Sequence, residues 1–164
     1  MSGKSKTGKP IRVGVAGLGT VGAGVIKILT AQADLLSARA GSPIVIGGVS
    51  ARSKDQDRGV DLSPYPWFDD CLDMAAADDI DVVMELIGGE EGVARSLVQT
   101  ALENGKNVVT ANKALLAHHG VALARLAETK GVVLAYEAAV AGGIPVIKGL
   151  REGLTANRIP AILC

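Results

Sequence analysis

The feature that most restricts the fold is a junction near the N-terminus. Ile11–Ala16 (IRVGVA) is a short apolar run that follows a proline and ends at a glycine, the pattern of a buried strand. Directly behind it, Gly17-Leu18-Gly19-Thr20-Val21-Gly22 matches GxGxxG and opens a stretch in which Val21, Val25, Ile28, Leu29 and Leu36 recur at helical spacing, to about Arg39. With 21 glycines in 164 residues, that glycine spacing alone arises by chance about 0.3 times in such a chain. Its position between a strand and a long helix gives it meaning. There Gly17 allows a tight turn, Gly19 lets the backbone approach a diphosphate with no Cβ in the way, and Gly22 lets the helix pack closely on the strand. The amides of Leu18, Thr20 and Val21, with about half a positive charge from the helix dipole, complete an anion cradle.

The rest of the chain repeats this alternation. Apolar runs at 44–49, 81–86, 107–110 and 132–136 read as strands. Between them, helical patterns are expected at 69–77, with Asp69 or Asp70 near its N-terminus, at 90–104, at 112–129 with a break near Gly120, and finally at 142–153. The 90–104 pattern puts Val93, Leu97, Val98, Ala101 and Leu102 on one face, and Glu90-Glu91 at its start suit a helix N-terminus on structural grounds alone. Residues 53–66 are polar and punctuated, a loop. Strand and helix in strict alternation imply a parallel sheet covered on both faces: a doubly wound, three-layer α/β domain of the Rossmann type.

Composition narrows the function classes. Aromatics are 2% and apolar residues 48%, so the core must be aliphatic, as suits a buried parallel sheet. Seventeen basic and 17 acidic residues leave no net charge, hence no field for nucleic acid or an anionic membrane surface. No apolar run approaches the ~20 residues of a membrane span. Residues 1–10 are polar and basic without an apolar core, a disordered tail and not a signal peptide. Cys71 and Cys164 form no framework, which fits a reducing, cytoplasmic setting.

The end of the second strand in such folds meets the adenosine ribose. An acid there favours NAD by accepting from the 2′-hydroxyl. Here Ser50-Ala51-Arg52-Ser53-Lys54 contains none before Asp55. Arg52, with Lys54 nearby, suits a 2′-phosphate, so the reading favours NADP over NAD and leaves dual use open; a merely solvated charged loop is the plainer alternative. His118-His119 is no metal pair, because adjacent helical positions diverge by about 100°. Cys71 has nothing nearby to lower its pKa or serve as its base.

Several segments together resemble homoserine dehydrogenase: the glycine loop at 17–22, Glu85-Leu86-Ile87-Gly88-Gly89, Val109-Thr110-Ala111-Asn112-Lys113-Ala114-Leu115-Leu116-Ala117, and Glu137-Ala138-Ala139-Val140-Ala141-Gly142-Gly143-Ile144-Pro145-Val146. They stand in the family's order and spacing, and the similarity runs over 11–158, the expected dinucleotide-binding domain. The last two segments are long and unusual, far more specific than the glycine loop. The resemblance implies NAD(P)H-dependent, reversible reduction of aspartate 4-semialdehyde to homoserine, on the route to threonine, methionine and isoleucine. It implies cofactor contacts at Ile87 and Gly88 and a lysine at Lys113 that lies at the cofactor and is linked to catalysis. Lys113 follows a strand's C-terminal end, where open sheets place ligands, and its ammonium would stabilise an oxygen gaining charge. The alternative is a surface lysine in a helix's first turn, an unfavourable place for a cation. The resemblance also implies a monovalent cation, sodium, held by Glu137 and the carbonyls of Val140, Gly142 and Ile144. Hard oxygen ligands suit such an ion; Glu137 bonded only to neighbouring amides is the competing reading.

The chain departs from the family at its end. Residues 159–164 would begin a substrate-binding and dimerising region that carries acidic residues and a second catalytic lysine, so the expected behaviour is cofactor binding with incomplete catalysis, the longer protein being a homo-oligomer. No upstream kinase domain of the kind fused in some relatives is expected. Two other readings are another NAD(P) dehydrogenase, whose acyl-forming type needs a cysteine beside a histidine base, and a non-enzymatic NAD(P) sensor, which has no need of Lys113.

Overall fold

In the computed structural model, β1 (Ile11–Ala16) lies inside a five-stranded, wholly parallel sheet of order β2-β1-β3-β4-β5. The other strands are β2 (Ile44–Ser50), β3 (Val82–Glu85), β4 (Asn107–Thr110) and β5 (Leu134–Ala135). The structure describes residues 8–141 and 144–153. Most of the expected tail at 1–10, residues 159–164 and Gly142 lie outside them.

Among the described residues six α-helices complete the alternation: α1 (Thr20–Ala31), α2 (Ala33–Ala40), α3 (Cys71–Ala76), α4 (Val93–Glu103), α5 (Lys113–Lys130) and α6 (Val146–Lys148). Two cores form, one on each face of the sheet. Val13, Val15, Leu18, Ile26 and Val49 make the first, with α1. Met74, Leu97, Leu102, Val108 and Leu115 are central to the second, with α3, α4 and α5. The expected doubly wound, three-layer α/β fold is the fold observed.

The sheet order turns at β1. The chain leaves β1 for β2 on one side, then returns to β3 on the other, and such a switch point leaves a crevice at the strands' C-terminal ends. Among the described residues no full strand pairs outside β2. Residues 66–68 make one parallel bridge there, with the Val49 amide donating to Pro66 O and the Phe68 amide to Val49 O, both at 2.9 Å. Arg12 ties the starts of β1 and β3. Its Nε and Nη2 reach the two oxygens of Asp81 at 2.9 Å each, and its amide donates to Oδ2 at 2.8 Å.

Several boundaries differ from expectation. The first helix does not run on to Arg39: it breaks at Gln32, and α2 leaves at 80° to α1. The Thr30 hydroxyl bonds back to the Ile26 carbonyl, weakening the last turn, and Asp34 favours a new N-terminus. The buried side of α1 is Gly22, Ala23 and Ile26, whereas Val21 and Ile28 are more than half exposed. Close glycine packing turns that side inward. Conversely, α5 passes Gly120 unbroken, held by an Asn112 cap and a left-handed Gly131 stop. α4 begins at Val93, so Glu90 and Glu91 precede it, and Val93 is exposed while Ala94 takes the buried position. β5 keeps two of its five expected residues. The final helix starts only at Val146, after Pro145, and becomes a π-turn over Gly149–Gly153.

Candidate dinucleotide site

The loop between β1 and α1 is built by backbone constraints that only glycine meets. Gly17 has φ +94°, and a Cβ there would fall 2.4 Å from the Leu86 carbonyl oxygen. A Cβ on Gly22 would fall 1.9 Å from the Gly17 carbonyl oxygen. Gly19 is different, because its missing Cβ faces open space. It is the N-cap of α1 and supplies no side-chain cap, so the first-turn amides stay available to an external acceptor. The loop is clamped on both sides: the Gly17 amide donates to Ser50 O of β2 at 2.9 Å, and the Leu86 amide to Ala16 O at 2.8 Å.

A cavity of about 640 Å3 opens over this loop, lined by Gly17, Leu18 and Gly19, by Ser50 to Ser53 after β2, and by Leu86 to Gly88 after β3. Its volume is that of a typical small-molecule cleft. Arg52 lines it, as does Arg58, which no local sequence pattern marks. Arg58 donates to the carbonyls of Ser53 and Gln56 and so folds the loop around its guanidinium. Lys54 is not part of the lining; its ammonium stands 6.0 Å from the centre of the Trp67 ring, with Arg58 at 5.9 Å. Cys71 borders the cavity but is buried, and desolvation, with Asp70 adding, pushes its thiol up from the ordinary range, the reverse of activation.

A second cavity, about 170 Å3, shares Leu86, Ile87 and Gly88 with the first and extends to Val21, Glu85, Ala111 and Asn112. Behind part of its largely apolar wall runs a polar network. Glu85, fully buried at the end of β3, accepts from the amides of Ile87 at 2.8 Å and Gly88 at 3.0 Å through Oε1. Oε2 accepts from the Thr110 hydroxyl at 2.5 Å. Thr110 in turn accepts from the Asn112 amide, and Asn112 Nδ2 donates to Gly89 O at 2.6 Å. Asn112 also caps α5 through Leu115 N. The loops after β3 and β4 are thereby locked together. The signal that singles out Glu137, an acid in an apolar run, is equally present in Val82-Val83-Met84-Glu85-Leu86.

Lys113 is the exposed first residue of α5, next to Ala111 and Asn112 but not itself among the lining residues of either cavity. Glu137 is half-buried and accepts from the amides of Ile147 and Lys148, each at 3.1 Å. Val140 and Ile144 follow it in sequence, the Ile144 carbonyl accepting from the Val146 amide at 2.7 Å. His118 pairs with Glu90 and His119 with Glu91. Arg95 and then His119 hold the Glu91 carboxyl below its usual value. Among the described residues no cluster of three acidic, histidine or cysteine side chains is placed to hold a metal.

A glycine cradle at the start of α1, a switch point beside it and a cleft across both define a Rossmann-type dinucleotide-binding domain. Residues 17–137 match the family model described as the homoserine dehydrogenase NAD-binding domain, and the chain belongs to the homoserine dehydrogenase family. It is 51% identical over 151 residues to homoserine dehydrogenase of Pseudomonas aeruginosa, covering 92% of this chain and 34% of that one. The Neisseria gonorrhoeae homoserine dehydrogenase is 47% identical over 94% of this chain and 35% of its own length. Among solved structures, a homoserine dehydrogenase from Thiobacillus denitrificans superposes with a TM-score of 0.85 at 47% identity, covering 93% of this chain and 35% of that one. The chain thus spans about a third of the length of these relatives.

Proposed function

We propose that this domain holds NADP, with NAD as a weaker alternative, for a homoserine dehydrogenase that interconverts aspartate 4-semialdehyde and homoserine. The observation that carries the reading is Gly19: at an uncapped helix start, at the mouth of the cleft, its absent side chain leaves the amides of 18–22 open to a diphosphate. Arg52, in the cleft wall with no acid at the end of β2, suits a 2′-phosphate, whereas Lys54 of the same loop stands over Trp67, outside the lining. Ile87 and Gly88 line both cavities and would border the nicotinamide half. When bound, the coenzyme supplies or accepts the hydride.

Lys113, the first residue of α5 beside Asn112, is the residue whose ammonium would stabilise negative charge on the substrate's carbonyl oxygen. Sodium is the cation that suits Glu137 with the carbonyls of Val140, Gly142 and Ile144. Each Glu137 oxygen accepts one amide, and a carboxylate oxygen has a further lone pair to give. The longer protein works in the cytoplasm as a homo-oligomer. Calorimetric titration tests the core of this reading: NADPH is expected to bind more tightly than NADH. Arg52→Ala should weaken NADPH about tenfold, the usual worth of a charged hydrogen bond, and leave NADH within about twofold. No binding of either coenzyme would sink the reading.

A further inference from the structure

Glu85 is a buried acid outside the coenzyme contacts proposed for this domain. It is fully buried, yet it forms part of the wall of the smaller cavity. All three of its partners donate to it. The Ile87 and Gly88 amides can only donate. The Thr110 hydroxyl accepts from the Asn112 amide and donates its one proton to Glu85. That pattern belongs to an ionised, acceptor-only carboxylate. Among the described residues no cation lies within salt-bridge distance of it. Burying a negative charge without a counter-charge is expensive, and three neutral dipoles hold the charge without cancelling it. Lys113, exposed one residue past Asn112, is screened by solvent; Glu85 is not.

We infer that Glu85 sets a preference of this domain for the oxidised, positively charged form of the nicotinamide over the neutral reduced form. The inference rests on the proposed coenzyme reading, in which the smaller cavity borders the nicotinamide half. A buried carboxylate attracts a nearby cation strongly in a low-dielectric wall and leaves a neutral ring unaffected. The two redox forms share their adenosine, ribose and phosphate groups, so the difference is read entirely at this end.

The test is the ratio of dissociation constants for the reduced and oxidised coenzyme, measured by calorimetry on the intact chain, with ADP-ribose as a probe of the adenosine half alone. Glu85→Gln keeps the shape and removes the charge. It is expected to shift the ratio toward the reduced form by about tenfold, consistent with the attraction of one buried charge, while ADP-ribose binds within twofold of wild type. Glu85→Asp keeps the charge and should retain the wild-type direction of preference. An unchanged ratio in the Gln variant would overturn the inference. So would a loss of ADP-ribose affinity in that variant, which would make Glu85 a support of the whole site, or an Asp variant that binds ADP-ribose but has lost the preference. If wild type binds neither coenzyme, it is the coenzyme reading that fails.

Discussion

Single residues in this domain divide between those whose identity is forced by geometry and those whose charge is placed for a purpose. Gly17 and Gly22 belong to the first kind, since a methyl group at either would collide with backbone oxygen. Asp81 belongs to the second. Hydrogen bonds from the Arg12 guanidinium, with the Arg12 amide adding, hold its carboxyl at about 2, against partial desolvation. A carboxyl lower in the folded than in the unfolded chain stabilises the fold above its unfolded value, near 3.8, and that contribution disappears as pH falls through about 2. Asp81→Asn should therefore melt below wild type at pH 7, with the gap narrowing between pH 4 and 2. Thermal melts across that range check it, and a gap independent of pH would contradict the assignment. Arg12 and Asp81 are ordinary charged residues in the sequence, 69 positions apart, and no local pattern pairs them.

At the scale of elements, strand and helix types follow from periodicity, while their ends follow from neighbours. The bend at Gln32 and the continuity of α5 through Gly120 both run against local signals, because Thr30, Asp34 and the Asn112 cap outweigh apolar spacing and a lone glycine. Asn112 shows how an end becomes functional: one side chain caps α5 and fastens the Gly89 carbonyl of the neighbouring loop. Asn112→Ala loses both bonds and should cost about 2 kcal/mol of stability, the upper range for a helix cap. Denaturant unfolding reads the loss, and a variant as stable as wild type would show that the cap is dispensable.

At the scale of the whole molecule, the coenzyme cleft is assembled from the ends of β1, β2 and β3, so ligand binding and folding are coupled. NADPH at 100 times its dissociation constant is expected to raise stability by about 2.7 kcal/mol, a shift of roughly 5–10 °C in melting temperature for a domain of this size. The same purified chain, about a third of the length of its relatives, is expected not to oxidise homoserine; rapid turnover would show that these residues suffice for catalysis. The strand–glycine–helix junction, the alternation of elements and the family were legible in the sequence because each depends on contiguous residues: a turn needs its glycine, a buried strand its apolar run. Only the tertiary structure put Arg58 in the cleft, moved Lys54 onto Trp67, and brought Glu85 to Thr110 across 25 positions. Those outcomes depend on which strand ends become neighbours, and strand order is decided by packing of the whole sheet, not by any segment's own composition.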